Sequence, residues 1–213
     1  TLNQIAQNSG YISNNEVLGI PGQANFFLNE VKNGVYNANL SQDDLDAANA
    51  IGERKTRLTE DDLIFSTNFN YVKDRRENLL DEDFSILRLK LELAGNFLST
   101  ASAILSAQKN ENDQYEFFNV AFSQYVKTEF DYIKHWSLGY KNVLAIRSFV
   151  GIAIPYGNST NIPFSKSFFA GGANDNRAWT AYNLGPGSLE TTNEFNEANF
   201  KIALSAEQRF NLF

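Results

Sequence analysis

Apolar and polar positions alternate along five segments of this chain. That is the period of a β-strand, whose successive side chains point to opposite faces. The clearest is SILRLKLELAGNF, Ser85 to Phe97. Leu87, Leu89, Leu91, Leu93, Gly95 and Phe97 fall on one face, and Arg88, Lys90, Glu92, Ala94 and Asn96 on the other. LIFSTNFNYVK sets Leu63, Phe65, Phe69 and Tyr71 against Ser66, Asn68 and Asn70. YVKTEFDYIKHW sets Val126, Thr128, Phe130, Tyr132 and Trp136 against Lys127, Glu129, Asp131 and His135. VLAIRSFVGIAIP sets Leu144, Ile146, Val150, Ile152 and Ile154 against Ala145, Arg147, Gly151 and Ala153. NFKIALSAEQRFNLF sets Phe200, Ile202, Leu204, Phe210 and Leu212 against Lys201, Ser205, Glu207 and Arg209.

The pattern predicts strands at 63–73, 85–97, 124–136, 143–155 and 199–213. They run to about 11–14 residues, whereas soluble strands average about 5–6 and a tilted bilayer-spanning strand needs about 9–11. Tyr71, Phe97, Tyr125 and Trp136 sit at strand ends, where an aromatic girdle would lie. Short and long connections also alternate. SLGYKN is short and DRRENLLDED intermediate, while Ser99–Ala121, Pro155–Ala198 and the stretch before Asp62 are long. Transmembrane barrels sort their loops this way. The expected fold class is therefore all-β, an antiparallel transmembrane β-barrel. A soluble β-sandwich with one wet face is the structural alternative, since it alternates in the same way.

The first sixty residues carry weaker signals. NEVLGI and ANFFLNEV read as strand pieces. LSQDDLDAANAIGERK reads as a short helix in a long loop, near residues 41–54. Ser41 is its N-cap, Asp43 and Asp44 suit the positive N-terminus, and Arg54 and Lys55 suit the C-terminal end.

Composition narrows the chemistry. The chain has no Cys, so no disulfide framework or thiolate metal site is available. Its net charge of -7, without a basic stripe, argues against a nucleic-acid partner. His135 is the single histidine, too few for a zinc site, and it reads as a polar wall residue. No metal or cofactor is expected. Neither a G-x-S-x-G elbow nor a P-loop is present. Glu129 and Asp131 could form a carboxylate pair, but a charged barrel wall supplies the same pattern. Arg88, Lys90 and Glu92, with Lys127 and Glu129, read as mutual charge pairs. No enzyme is expected.

The segment FFAGGANDNRAWTAYNLGPGS, Phe168 to Ser188, has neither period, yet it holds four large aromatics. With the residues before it, it resembles the sixth extracellular loop of the Omp85 superfamily. That superfamily comprises outer-membrane barrels that insert or translocate other proteins. Pro155-Tyr156-Gly157-Asn158, Pro163-Phe164, Phe168-Phe169 and Gly171-Gly172 fit the run of the BamA/TamA-like, Bacteroidota-type branch. That branch includes the lipoprotein relative of the translocation and assembly module. Arg177-Ala178-Trp179 stands at the family's Arg-Gly-aromatic, with Ala178 in the glycine slot, and Leu184-Gly185-Pro186-Gly187 fits its LGPG. The resemblance extends from about Leu63 to Phe213.

The resemblance implies a partial barrel domain over residues 1–213, a fragment of a roughly 16-stranded barrel covering about strands seven to twelve. Loop 156–198 would fold into the lumen. There Arg177 would grip an acid, first one on a strand missing from this fragment, then Glu207, with Asp131, Glu129 and Glu92 as further candidates. Phe169, Gly171, Gly172, Gly185, Pro186 and Gly187 would shape the loop. The implied location is the bacterial outer membrane. The implied partners are outer-membrane lipid, nascent outer-membrane or exported proteins, and the rest of the barrel with its periplasmic domains. A two-partner-secretion transporter, a porin, or a barrel anchoring a patatin-like hydrolase are the alternatives.

Overall fold

The computed structural model describes residues 1–105, 107, 109–110, 113–173, 175–184 and 197–210. The chain divides into two compact units. One comprises Thr1–Glu60 with Ala170–Asn196, the other Asp61–Phe169 with Glu197–Phe213.

The first unit is helical through its first sixty residues: α1 (Leu2–Asn8), α2 (Gly22–Lys32) and α3 (Gln42–Thr59). The expected strand piece ANFFLNEV is therefore corrected to helix. Its Ala24, Phe27, Leu28 and Val31 are buried at i, i+3, i+4 and i+7, which is the helical stripe. NEVLGI forms no strand either. These residues share a core with Ile5, Leu18, Leu40 and Ala48. The helix expected at 41–54 forms and runs on to Thr59. Ser41 caps it by accepting from the Asp44 N–H at 3.2 Å.

The second unit is built on an open antiparallel sheet. Its strands are β1 (Ser66–Asp74), β2 (Ser85–Ala94), β5 (Tyr125–Gly139), β6 (Asn142–Pro155) and β7 (Phe200–Phe210), in that spatial order. A two-stranded ribbon, β3 (Glu116–Phe117) and β4 (Val120–Ala121), lies between β2 and β5 in sequence. Phe118 and Asn119 both take positive φ in its two-residue turn, which matches the twist of paired strands. Among the described residues β1 and β7 are sheet edges, so the sheet does not close.

All five expected long strands are present, with shifted ends. Strand β1 begins at Ser66, and Leu63 instead bridges Phe122. Strand β2 stops at Ala94 and not at Phe97. Gly95 turns the chain at φ 76, where a Cβ would lie 2.5 Å from the Ser123 carbonyl oxygen. Phe97 belongs to the following helix, α4 (Asn96–Ile104), and meets Phe65 at 5.4 Å between rings.

Register divides the sheet into two faces. Phe69, Leu91 and Thr128 stand in one cross-strand row, as do Leu89, Phe130, Val150 and Ile202. Phe69, Phe130, Trp136, Val150, Ile152, Phe200, Ile202 and Leu204 are all exposed on this face. A continuous exposed apolar sheet face of this extent is what lipid contact requires. No described helix is long and apolar enough to cross a membrane.

Candidate functional site

The opposite face carries a lattice of charges. Strand β2 presents Arg88, Lys90 and Glu92. Opposite them β5 presents Asp131, Glu129 and Lys127. Each base therefore faces an acid. A two-residue slip in either direction would set Lys90 against Lys127, or Glu92 against Glu129. A one-residue slip would turn every leucine of β2 onto the charged face. Opposite charges directly across a sheet stabilise their register.

The contacts follow that register. Asp131 is 8% exposed. It accepts from Arg88 at 3.2 Å and from Arg147 of β6 at 2.8 Å. Glu129 meets Lys90 at 3.2 Å and Lys127 at 3.4 Å. Glu207 accepts from Arg209 Nε at 2.6 Å. Of the acids expected as partners for Arg177, Asp131, Glu129 and Glu207 thus each meet bases of their own sheet, and Glu92 meets Lys166 at 2.7 Å. Tyr125, expected at an outer girdle, lies instead on this face. It is fully buried and its hydroxyl donates to Glu92 at 2.7 Å. Its ring closes the end of the charged face with Ala94, Ala153, Ile162 and Phe168.

Pro155-Tyr156-Gly157-Asn158 forms a polar buckle at the end of β6. Asn158 is buried. Its Nδ2 donates to the carbonyls of Tyr115 (3.0 Å) and Phe122 (2.9 Å), and its Oδ1 accepts from the Tyr115 N–H at 2.6 Å. Gln124 Oε1 accepts from the Asn158 N–H at 2.9 Å. Tyr156 donates its hydroxyl to Asn96 Oδ1 at 2.5 Å. Gly157 sits at φ 59, and a Cβ there would lie 2.2 Å from Gln124 Oε1, so a larger residue would strain the turn and displace the Gln124 amide. The motif joins β6, the segment before β5 and the start of α4. These contacts could not be read from sequence, because Gln124 and Asn96 belong to no motif.

After the buckle the chain returns across the charged face. Phe168 pairs with Ala198 through two backbone hydrogen bonds, of 2.8 and 2.7 Å. Its ring lies against Gly151 and meets Phe149 edge-on at 6.1 Å. Phe169, expected to shape the loop, is exposed, and its carbonyl accepts from Lys201 at 2.8 Å.

Arg177 belongs to the other unit, in a loop that folds on itself. Gly171 (φ 92) and Gly172 (φ 95) make its first bend. The Gly171 N–H reaches Asp175 Oδ2 at 2.9 Å, and the Gly172 N–H reaches the Trp179 carbonyl at 2.8 Å. Arg177 is exposed and its Nε donates to the Ala173 carbonyl at 3.1 Å. Ala178 takes no positive φ, so the residue in the family's glycine slot carries no left-handed strain. Trp179 is exposed. Gly185, Pro186, Gly187 and Leu212 lie outside the described residues.

The second unit is thus an open antiparallel sheet with one exposed apolar face and one charged face, and residues 162–169 lie back along the charged face. A family model, the Omp85 superfamily domain, matches residues 3–213, and the chain belongs to that superfamily. Membership places it among outer-membrane proteins of Gram-negative bacteria that act in protein insertion or translocation. Among individually characterised proteins, none matches the chain.

Proposed function

We propose that this chain forms part of a BamA/TamA-like barrel, of the Bacteroidota type, that inserts outer-membrane proteins or exports surface proteins without covalent chemistry. The five strands are part of the barrel wall, the charged face lines the lumen, and loop 156–198 occupies it. One observation carries this reading. The loop does not leave the sheet into solvent but lies back along the charged face, from Ile162 to Phe169. The PYGN, FF-GG and Arg-Ala-Trp residues support the finer assignment.

Arg177 is the proposed clamp of the distal loop. An arginine fork matches a carboxylate bidentately and binds it more tightly away from bulk water. Asp131, Glu129 and Glu207 all meet bases of their own sheet, so its acid is expected first on a strand other than the five described, with Glu207 second because its pair with Arg209 is exposed. The test uses the full-length protein in membranes. Arg177→Ala should raise protease access to Phe168–Ser188 and lower assembly or export of client proteins. Unchanged access together with unchanged activity would sink the clamp. Release of the parent protein by carbonate washing would sink the barrel.

A further inference from the structure

The returning loop is gripped at Lys166 from both of that residue's ends. Its ammonium donates to Glu92 Oε1 at 2.7 Å. Its carbonyl accepts from Lys127 Nζ at 2.8 Å. Glu92 and Lys127 are register partners on β2 and β5, so two adjacent strands hold one loop residue by opposite polarities. Glu92 is fixed for this task by the Tyr125 hydroxyl, which reaches the same oxygen at 2.7 Å.

The grip continues two residues on. Lys127 Nζ lies 4.2 Å from the centre of the Phe168 ring, within cation–π range. The ring fills space over β6 that exists because position 151 is glycine. A Cβ on Gly151 would stand 2.5 Å from Phe168 Cζ. A glycine inside a strand weakens it and marks the close approach of another group.

We propose that Glu92 and Lys166 are the positioning residues of the loop, a latch that seats its proximal arm on the sheet independently of Arg177. Lys127 and the Gly151 slot complete the seat. The role in assembly or export rests on the reading of the charged face as the lumen wall; the latch itself does not. A loop attached at both Lys166 and Arg177 would have its two arms fixed separately, so loss of one attachment should free only its own arm.

The experiment uses the full-length protein in membranes, in a background without other cysteines. This chain contributes none. A single cysteine at Ser167 reports on the proximal arm through its labelling rate with a membrane-impermeant maleimide. Charge-assisted hydrogen bonds are strong enough that loss of one should raise the rate about tenfold. That rise is expected in Glu92→Gln and in Lys166→Met. Lys166→Arg, which keeps the charge, and Arg177→Ala, which leaves this arm untouched, should label at the parent rate. Lys166 lies in the loop, so Lys166→Met keeps the question open to a clear answer even where a change at Glu92 prevents folding. Parent-like rates in Lys166→Met and Glu92→Gln overturn the latch. So does a rise in Arg177→Ala equal to theirs. Carbonate extraction of the parent reads the barrel assignment separately, because a protein released from the membrane with the latch variants still labelling fast defeats only that assignment.

Discussion

Arg147 Nε donates to Asp131 Oδ1 at 2.8 Å from the adjacent strand, while Arg88 reaches the other carboxylate oxygen at 3.2 Å from the strand on the far side. Asp131 therefore joins three strands through one buried carboxylate. Removal of its charge would leave two guanidinium groups facing each other. Both are partly exposed, so solvent screens part of the cost. Asp131→Asn should destabilise the full-length barrel by about 1–3 kcal/mol. Arg88→Met or Arg147→Met alone should cost less, about 1 kcal/mol, because Asp131 keeps one partner. Urea unfolding followed by tryptophan fluorescence measures both. A midpoint for Asp131→Asn equal to that of the parent would show that the lattice does not hold these strands together.

Asn158 satisfies one N–H and two carbonyls of the segment before β5 from a buried position. An alanine there leaves those groups without a partner, at about 1–3 kcal/mol for each that water does not reach. Asn158→Ala should lower stability by about 2–4 kcal/mol on that basis. It should also speed amide exchange at Tyr115 before it changes exchange within β5. Asn158→Asp keeps the Oδ1 acceptor but loses both donations and sets a carboxylate against two carbonyl oxygens. It should be no better than alanine. Exchange at Tyr115 equal to that of the parent in both variants would show that the buckle does not order this segment.

The faces of the sheet were legible because a strand's period is two, and one odd or even choice fixes every residue on it. That is why Leu87 to Leu93 and Arg88 to Glu92 sort correctly without any contact being known. Strand ends were less legible, because distant groups decide them. Gly95 and Phe97 continue the apolar alternation of β2, yet Ser123, far along the chain, leaves no room for a Cβ at Gly95. Tyr125 sits at a strand end like a girdle residue, but its odd number places it with Glu129 on the charged face. In ANFFLNEV the adjacent Phe26, Phe27 and Leu28 hide the helical spacing of Ala24, Phe27, Leu28 and Val31. Lys166 follows no period at all. Only the pairing of β2 with β5 brings Glu92 and Lys127 to it.

In the helical unit the Tyr36 hydroxyl donates to Glu30 Oε2 at 2.8 Å. Burial, followed by this bond and the Glu30 charge, pushes the phenol up to about 12, from about 10 in an unfolded chain. The folded state therefore binds the proton more tightly. The stability this contributes is fully present below about pH 10 and is lost as pH rises towards about 12. Tyr36→Phe keeps the ring against Tyr11 and Phe27 but removes the titrating group. Helicity of the parent should fall more steeply than that of Tyr36→Phe between about pH 10 and 12. Parallel circular-dichroism titrations check this, and superimposable curves would refute it.

The fit of Phe168 over Gly151 makes a prediction that runs in two directions. Gly151→Ala adds a methyl group 2.5 Å from Phe168 Cζ and 3.1 Å from Phe149 Cε1. The Phe168 backbone is held by its pairing with Ala198, so relief of that approach is expected to lift the loop arm. Overpacking of this kind costs about 1–3 kcal/mol. Alanine should otherwise improve the strand, because glycine is the weaker strand residue. Phe168→Leu on the same background shortens the intruding side chain and should recover most of the loss. Alone, Phe168→Leu should cost about 1 kcal/mol through the space it leaves. The double-mutant cycle in urea measures the coupling directly. A coupling near zero would mean that Gly151 serves the strand and not the ring, and that the loop is seated elsewhere. A coupling of about 1 kcal/mol or more would tie the glycine in β6 to the path of the loop.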